Sequence, residues 1–137
     1  MESNGTVPGI SILVVDDSEA VRDTVSVILS VCGYQCESAK NGVEAMQRVR
    51  QRRFDAVVTD LEMPEMNGLA LTSEIRQHFS SLPVMIMTGH TDDDSRESAF
   101  RAGAREFLSK PFDVPDLIRK LHGMLLGHKE QVTPERA

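Results

Sequence analysis

The sequence holds only two cysteines, Cys32 and Cys36, and neither has a histidine or further cysteine near enough to complete a zinc site. They read as buried, reduced thiols rather than as a redox or metal pair. Long apolar runs are also missing. No stretch approaches the roughly 18 residues that a membrane span needs, and the opening Met-Glu-Ser-Asn-Gly-Thr lacks the basic region and apolar run of a secretion signal. A cytoplasmic protein with no membrane partner is the expectation. Basic charge is scarce, with 15 Lys and Arg against 21 Asp and Glu and a formal net charge of −6. Such a chain is poorly suited to neutralising nucleic-acid phosphates, so no direct nucleic-acid partner is expected. Internal repeats and low-complexity tracts are absent as well.

What is present fits one domain. A chain of 137 residues, 40% hydrophobic and 26% charged, can bury a core without disulfides and is too apolar to stay unfolded. Residues 1–9 and 127–137 carry Gly5, Pro8, Gly9, Gly127 and Pro134 without apolar periodicity, and read as flexible segments flanking a domain at 10–126. Within it, five short runs predict strands: Ile10 to Val15, Tyr34 to Ser38, Ala56 to Thr59, Val84 to Met87 and Glu106 to Ser109. The first, third and fourth are almost continuously apolar, as strands covered on both faces must be, which predicts a parallel centre.

The segments between them carry one-sided apolar stripes. Val21, Val25, Ile28, Leu29 and Cys32 mark the first helix, and Val114, Leu117, Ile118, Leu121 and Leu125 the last. Weaker stripes run through Val43, Met46 and Val49, through Leu71, Ile75 and Phe79, and through Ala99, Phe100 and Ala102. End signals agree, with Asp17 or Ser18 to cap the first helix, Gly33 to end it, and Thr91 before Asp92, Asp93 and Asp94 at another helix start. Five strands alternating with five helices predict an α/β, doubly wound open parallel sheet, with ligands bound outside the carboxyl ends of the strands.

Those ends carry the chemistry. Asp16 and Asp17 follow the first strand, Asp60 the third, Thr88 the fourth and Lys110 the fifth. Three carboxylates meeting at one edge repel one another unless a cation sits among them. Magnesium suits such a cluster, because it takes one or two carboxylates, keeps waters and accepts a phosphate oxygen. Asp60 is then a candidate nucleophile toward phosphorus, in front of Leu61-Glu62-Met63-Pro64, with Thr88 and Lys110 to hold the other phosphoryl oxygens. Taken singly, each residue has an ordinary role, Asp17 as a cap and Lys110 as a solvated cation. Their joint placement favours a site. The four histidines lack carboxylate-paired spacing and read as surface residues.

These residues are similar to bacterial response-regulator receiver domains over about residues 10–126. The resemblance rests on Val14-Val15-Asp16-Asp17-Ser18, on the segment from Thr59 to Gly68, on Met87-Thr88-Gly89, and on Gly103 to Phe112 with its Ser109-Lys110-Pro111-Phe112. It implies a flavodoxin-like strand order of 2-1-3-4-5 and phosphorylation of Asp60 by a histidine kinase or phosphotransfer protein. It further implies that Asp17, Asp60 and the backbone carbonyl of Glu62 bind magnesium directly and Asp16 through water, with manganese able to substitute. Thr88 and Lys110 then contact the phosphoryl, and the Lys110 to Pro111 peptide is cis. Phe107 takes the place of an aromatic that turns inward on phosphorylation. Lacking a hydroxyl, it is expected to be biased inward even at rest. Glu62 and His90 occupy positions that tune phosphoryl lifetime.

The resemblance implies a signalling module rather than an enzyme, beyond its own phosphorylation and dephosphorylation. Its downstream protein target is not encoded legibly, and the 92–126 face is a candidate for homodimerisation. The starting methionine and short tail favour a stand-alone regulator. Two other classes compete. A haloacid-dehalogenase-type phosphatase needs its Asp nucleophile on the first strand and a substrate cap. A flavodoxin-like cofactor binder needs a Ser, Thr or Gly-rich loop where Asp16 and Asp17 stand. A receiver that only docks without being phosphorylated would not need the full set of groups.

Overall fold

The computed structural model describes residues 9–89 and 92–131, with side chains described as far as residue 127. Strands β1 (Ser11–Val15), β2 (Gln35–Ala39), β3 (Ala56–Asp60), β4 (Val84–Thr88) and β5 (Glu106–Ser109) alternate strictly with five helices. These are α1 (Glu19–Val31), α2 (Gly42–Gln51), α3 (Gly68–His78), α4 (Asp93–Ala102) and α5 (Val114–Gln131). All neighbouring strands pair in parallel, in the order β2-β1-β3-β4-β5. Each strand lies within a residue of its expected place. β2 is the one displaced as a whole, because Tyr34 belongs to the turn that closes α1.

Alternation along the three central strands builds a core on each face of the sheet. Leu13, Val15, Val57 and Ile86 point toward α2, α3 and α4 with Leu71, Ile75 and Phe107. Ile12, Val14, Val58 and Met85 point the other way, toward Leu29, Leu117 and Leu121 on α1 and α5. Every residue of β1, β3 and β4 is buried, which explains why their sequences read as continuous apolar runs. The helical stripes are buried less evenly: Val43, Phe100 and Val114 belong to predicted stripes yet are exposed.

Helix ends follow local chemistry. Ser18 caps α1, its hydroxyl accepting from the Val21 amide at 3.3 Å. At the other end Gly33 takes φ 98°, and the amides of Gly33 and Tyr34 donate to the carbonyls of Ser30 and Leu29. That pairing needs a left-handed residue, which glycine adopts without a Cβ clash. Asn41 caps α2 by accepting from the Glu44 amide at 2.8 Å. Asn41→Ala is expected to cost about 1 kcal/mol of stability, seen as a lower urea midpoint with unchanged m-value, and Asn41→Asp to restore most of it.

Three readings change. Cys32 and Cys36 are free thiols but only half-buried, at the margin of the α1-side core. His78 does have a carboxylate at helical spacing, with Nε2 3.6 Å from Glu74. Helix α5 continues through Gln131, past the boundary expected at 126, since one glycine costs a helix only about 1 kcal/mol and Lys129-Glu130-Gln131 are good helix formers. The flanking residues 1–8 and 132–137, along with His90 and Thr91, lie outside the described residues. The start of α4 therefore rests on Asp92, its N-cap residue, with Asp93 and Asp94 in the first turn. No described helix is long and apolar enough to cross a membrane.

Candidate functional site

Parallel pairing brings the carboxyl ends of β1, β3, β4 and β5 to one edge, and five of the sequence-selected residues meet there. Asp60 closes β3 and Thr88 closes β4. Asp16 and Asp17 follow β1, and Lys110 follows β5. The ladder extends past these ends, with the Leu61 amide donating to the Met87 carbonyl at 2.9 Å and the Lys110 amide to the Thr88 carbonyl at 2.8 Å. Backbone pairing thus fixes Asp60 and Lys110 before their side chains interact.

The side chains form a charged knot. Lys110 Nζ donates to Asp60 Oδ1 at 2.9 Å and lies 3.4 Å from Asp16 Oδ2. The other Asp16 oxygen, Oδ1, accepts from the Ser18 amide at 2.9 Å, and the Asp16 carbonyl accepts from the Arg22 guanidinium at 2.8 Å. Asp16 is 2% exposed and Asp60 8%, whereas Asp17 is open to solvent. Asp16, Asp17 and Asp60 can each direct an oxygen to a common point, these atoms lying within 4.8 Å of one another.

Burial pushes the Asp60 carboxyl above the usual carboxylate range; the hydrogen bond from Lys110 opposes this, and the charges of Asp16 and Asp17 add to the rise. For Lys110, burial alone would lower the ammonium pKa. The hydrogen bond and charge of Asp60, joined by Asp16, outweigh that and leave it raised. Among the described residues Lys110 pairs with Asp16 and Asp60 and Arg22 turns to the Asp16 carbonyl, so the three clustered carboxylates keep a concentration of negative charge that a hard divalent ion would relieve.

The segment after Asp60 is shaped by two close contacts. Glu65 adopts a positive φ of 71°, and the Met66 amide donates to the Pro64 carbonyl at 2.8 Å. The chain then folds back, so that the Gly68 amide reaches the Leu61 carbonyl at 2.7 Å. A Cβ at Gly68 would lie 2.4 Å from the Asp60 carbonyl oxygen. Gly68 stood in the sequence motif without an assigned role, because its necessity arises from the return of the chain onto Asp60. Arg22 went unselected for a similar reason: its contact is to a backbone carbonyl, which no side-chain pattern reveals.

Between Asp17 and residues 61–64 a shallow cleft of about 650 Å³ opens, with exposed Glu62 on its lining. A separate cavity of about 510 Å³, lined by Arg50, Phe54 and Phe79 among others, lies at the start of β3 and holds none of the three clustered acids. Thr88 is 1% exposed at the end of β4. Phe107 is buried on β5, beside Ile86 in the register. The Lys110 to Pro111 peptide is cis.

Residues 12–122 match the family described as the response regulator receiver domain. The chain belongs to that family. This receiver domain is 36% identical over 121 residues to the DNA-binding transcriptional regulator NtrC of Escherichia coli (strain K12), covering 88% of the chain and 26% of that regulator. To the response regulator MprA of Mycobacterium sp. (strain KMS) it is 37% identical over 116 residues, covering 85% and 50%. It therefore spans from a quarter to a half of these curated relatives. Among solved structures, Vibrio cholerae chemotaxis protein CheY4 superposes with a TM-score of 0.80 at 31% identity, covering 84% of this chain and 98% of that one. A receiver domain protein from Clostridium thermocellum gives 0.84 at 28% identity, covering 90% and 99%. The receiver domain thus has the CheY-like, flavodoxin-like fold implied by its motifs.

Proposed function

We propose that this receiver domain takes a phosphoryl group onto Asp60 from a histidine kinase or phosphotransfer protein, and signals through the α4–β5 region. The observation that carries this reading is the 2.9 Å contact between Lys110 Nζ and Asp60 Oδ1 beside two further acids. Such a lysine holds one oxygen of Asp60 and leaves the other free to attack phosphorus. In the transfer, a new O–P bond forms at Asp60 as the P–N bond of the donor phosphohistidine breaks, its electron pair and then a proton going to the imidazole nitrogen. The ammonium of Lys110 is placed to follow the phosphoryl and neutralise one of its oxygens. Thr88, fixed at the neighbouring strand end, supplies a hydroxyl to another.

The all-oxygen donor set fits magnesium or manganese. Asp17, Asp60 and the Glu62 carbonyl would hold the ion, and Asp16, whose oxygens already engage the Ser18 amide and Lys110, would reach it through water. When bound, the ion supplies charge neutralisation for the acids and for the incoming phosphoryl. An apolar groove of about 640 Å³ lined by Val21, Val25, Ile28 and Phe112, among others, also includes Lys110, the residue that bonds Asp60, and offers a donor protein a contact surface beside it. Histidine-containing donors and protein targets are the partners that this arrangement supports.

Beryllofluoride with magnesium, a phosphoryl mimic, is the direct test. One bound species should appear in the ¹⁹F spectrum of the wild-type protein, and failure to bind at millimolar concentrations of both would remove the reading. Magnesium alone should raise the melting temperature, by the equivalent of about 2.7 kcal/mol at a hundredfold excess over its dissociation constant. Asp17→Asn is expected to lose most of that rise; a rise of equal size would place the ion elsewhere.

A further inference from the structure

Helix α4 is held to the sheet by little: Ala99 is its one buried residue. The ring of Phe107 beneath it is nevertheless only 1% exposed. The ring belongs to the core cluster with Ile86 and Ala99, and two further residues of α4 lie against it. The guanidinium carbon of Arg96, an exposed residue, lies 5.2 Å from the Phe107 ring centroid. Phe100, itself 42% exposed, meets the same ring at a centroid distance of 6.4 Å and an interplanar angle of 42°. The backbone of Phe107 is anchored independently from α5, where Lys120 Nζ donates to its carbonyl at 2.8 Å.

The ring therefore sits between a cation on a weakly attached helix and the end of β4. Phe107 is in register with Ile86, and strand alternation puts Thr88 on the same face of the sheet as Ile86. An arginine over an aromatic face adds cation–π attraction to the apolar area covered by its stem. Phenylalanine, with no hydroxyl, gains no hydrogen bond to water by leaving. A helix with so few buried contacts opens at low cost, so the Arg96 contact adds measurably to the apolar packing that keeps this edge closed.

We infer that Arg96 is a positioning residue that holds the Phe107 ring inward before any phosphoryl arrives, so that the α4 surface sets the resting population of the switch. A protein target that engages Arg96 would release the ring from outside, without touching Asp60. The link to phosphorylation rests on the function proposed above; the effect on the ring does not.

Protein carrying 4-fluorophenylalanine at its five phenylalanines tests both parts, with the Phe107 resonance assigned by Phe107→Leu. Without magnesium or phosphodonor, Arg96→Ala is expected to lower the inward-to-outward ratio of Phe107 about two- to fivefold, the worth of an exposed cation–π contact, while Arg96→Lys retains most of it. Arg101→Ala, on the same helix and paired with Glu97 at 3.3 Å, serves as a control and should leave the resonance in place. An unmoved Phe107 signal in Arg96→Ala, or one that moves equally in Arg101→Ala, overturns the inference. Beryllofluoride affinity should fall in Arg96→Ala in proportion to the inward fraction, the ratio divided by one plus the ratio, as linkage requires. An affinity that departs from the measured inward fraction would sever the α4 surface from the switch. Absence of beryllofluoride binding to wild type would instead remove the phosphoacceptor reading and leave the ring result standing.

Discussion

Asp60→Asn is expected to take up no phosphoryl group and to bind no beryllofluoride, while folding normally and, in the absence of divalent cations, melting higher than wild type. The first effect is all or none, because an amide cannot attack phosphorus to give an acyl phosphate. The second follows from the charge balance around the side chain. Burial and the neighbouring charges of Asp16 and Asp17 raise the Asp60 pKa against the pull of Lys110. A carboxyl whose pKa is higher in the folded state than in the unfolded chain destabilises the fold when ionised, and that cost disappears as pH falls through the folded value. The gain in melting temperature should therefore be full at neutral pH and shrink under acid; each kcal/mol is worth about 3–5 °C in a chain of this size. Thermal scans at neutral and acidic pH in a chelating buffer measure it. Magnesium should narrow the difference at neutral pH by stabilising wild type alone. A variant that still binds beryllofluoride as tightly as wild type would refute the assignment of Asp60.

Gly68→Ala is the second large effect. The added Cβ would stand 2.4 Å from the Asp60 carbonyl oxygen and 2.9 Å from the Leu61 Cα. Both are backbone atoms of the segment that bears Asp60, so no side-chain rotation can relieve the clash. The start of α3 must move away from the end of β3, breaking the 2.7 Å bond between the Gly68 amide and the Leu61 carbonyl. A loss of about 2–4 kcal/mol is expected, in the range for overpacking joined to a broken buried hydrogen bond. It is read by urea denaturation. Magnesium affinity should fall with it, since the displaced segment includes Glu62. Gly123→Ala is the contrast: a Cβ there meets nothing within 4 Å, and its stability should stay level or rise slightly. Equal behaviour of the two variants would show that the close approach at Gly68 has no energetic weight.

Much of the architecture was legible because each strand and helix declares itself locally. Ile12 to Val15 and Val84 to Met87 read as strands buried on both faces, which they are. Where the local signals misled, packing explains it. Phe100 continues the apolar stripe of α4, but that helix touches the sheet through Ala99, and Phe100 is left to cover the edge of Phe107. Cys32 and Cys36 were expected inside on the strength of residue type, and the margin of the core leaves both half-open.

At the site, residue types and their positions after the strands picked out Asp16, Asp17, Asp60, Thr88 and Lys110 as candidates. Their distances were not legible. Lys110 and Asp16 are separated by 94 positions in the chain and Lys110 and Asp60 by 50, and nothing local records how closely such pairs approach.

The sequence by itself determined the alternation of elements, the parallel centre and the set of side chains placed at the carboxyl ends, because periodicity, capping and strand burial act over a few residues at a time. Only the tertiary structure decided that Lys110 bonds Asp60, that α3 begins against the Asp60 carbonyl where a Cβ cannot fit, and that Arg96 covers the ring of Phe107. Those are contacts between segments far apart in the chain, and their geometry is fixed by the packing of the whole sheet and its helices together.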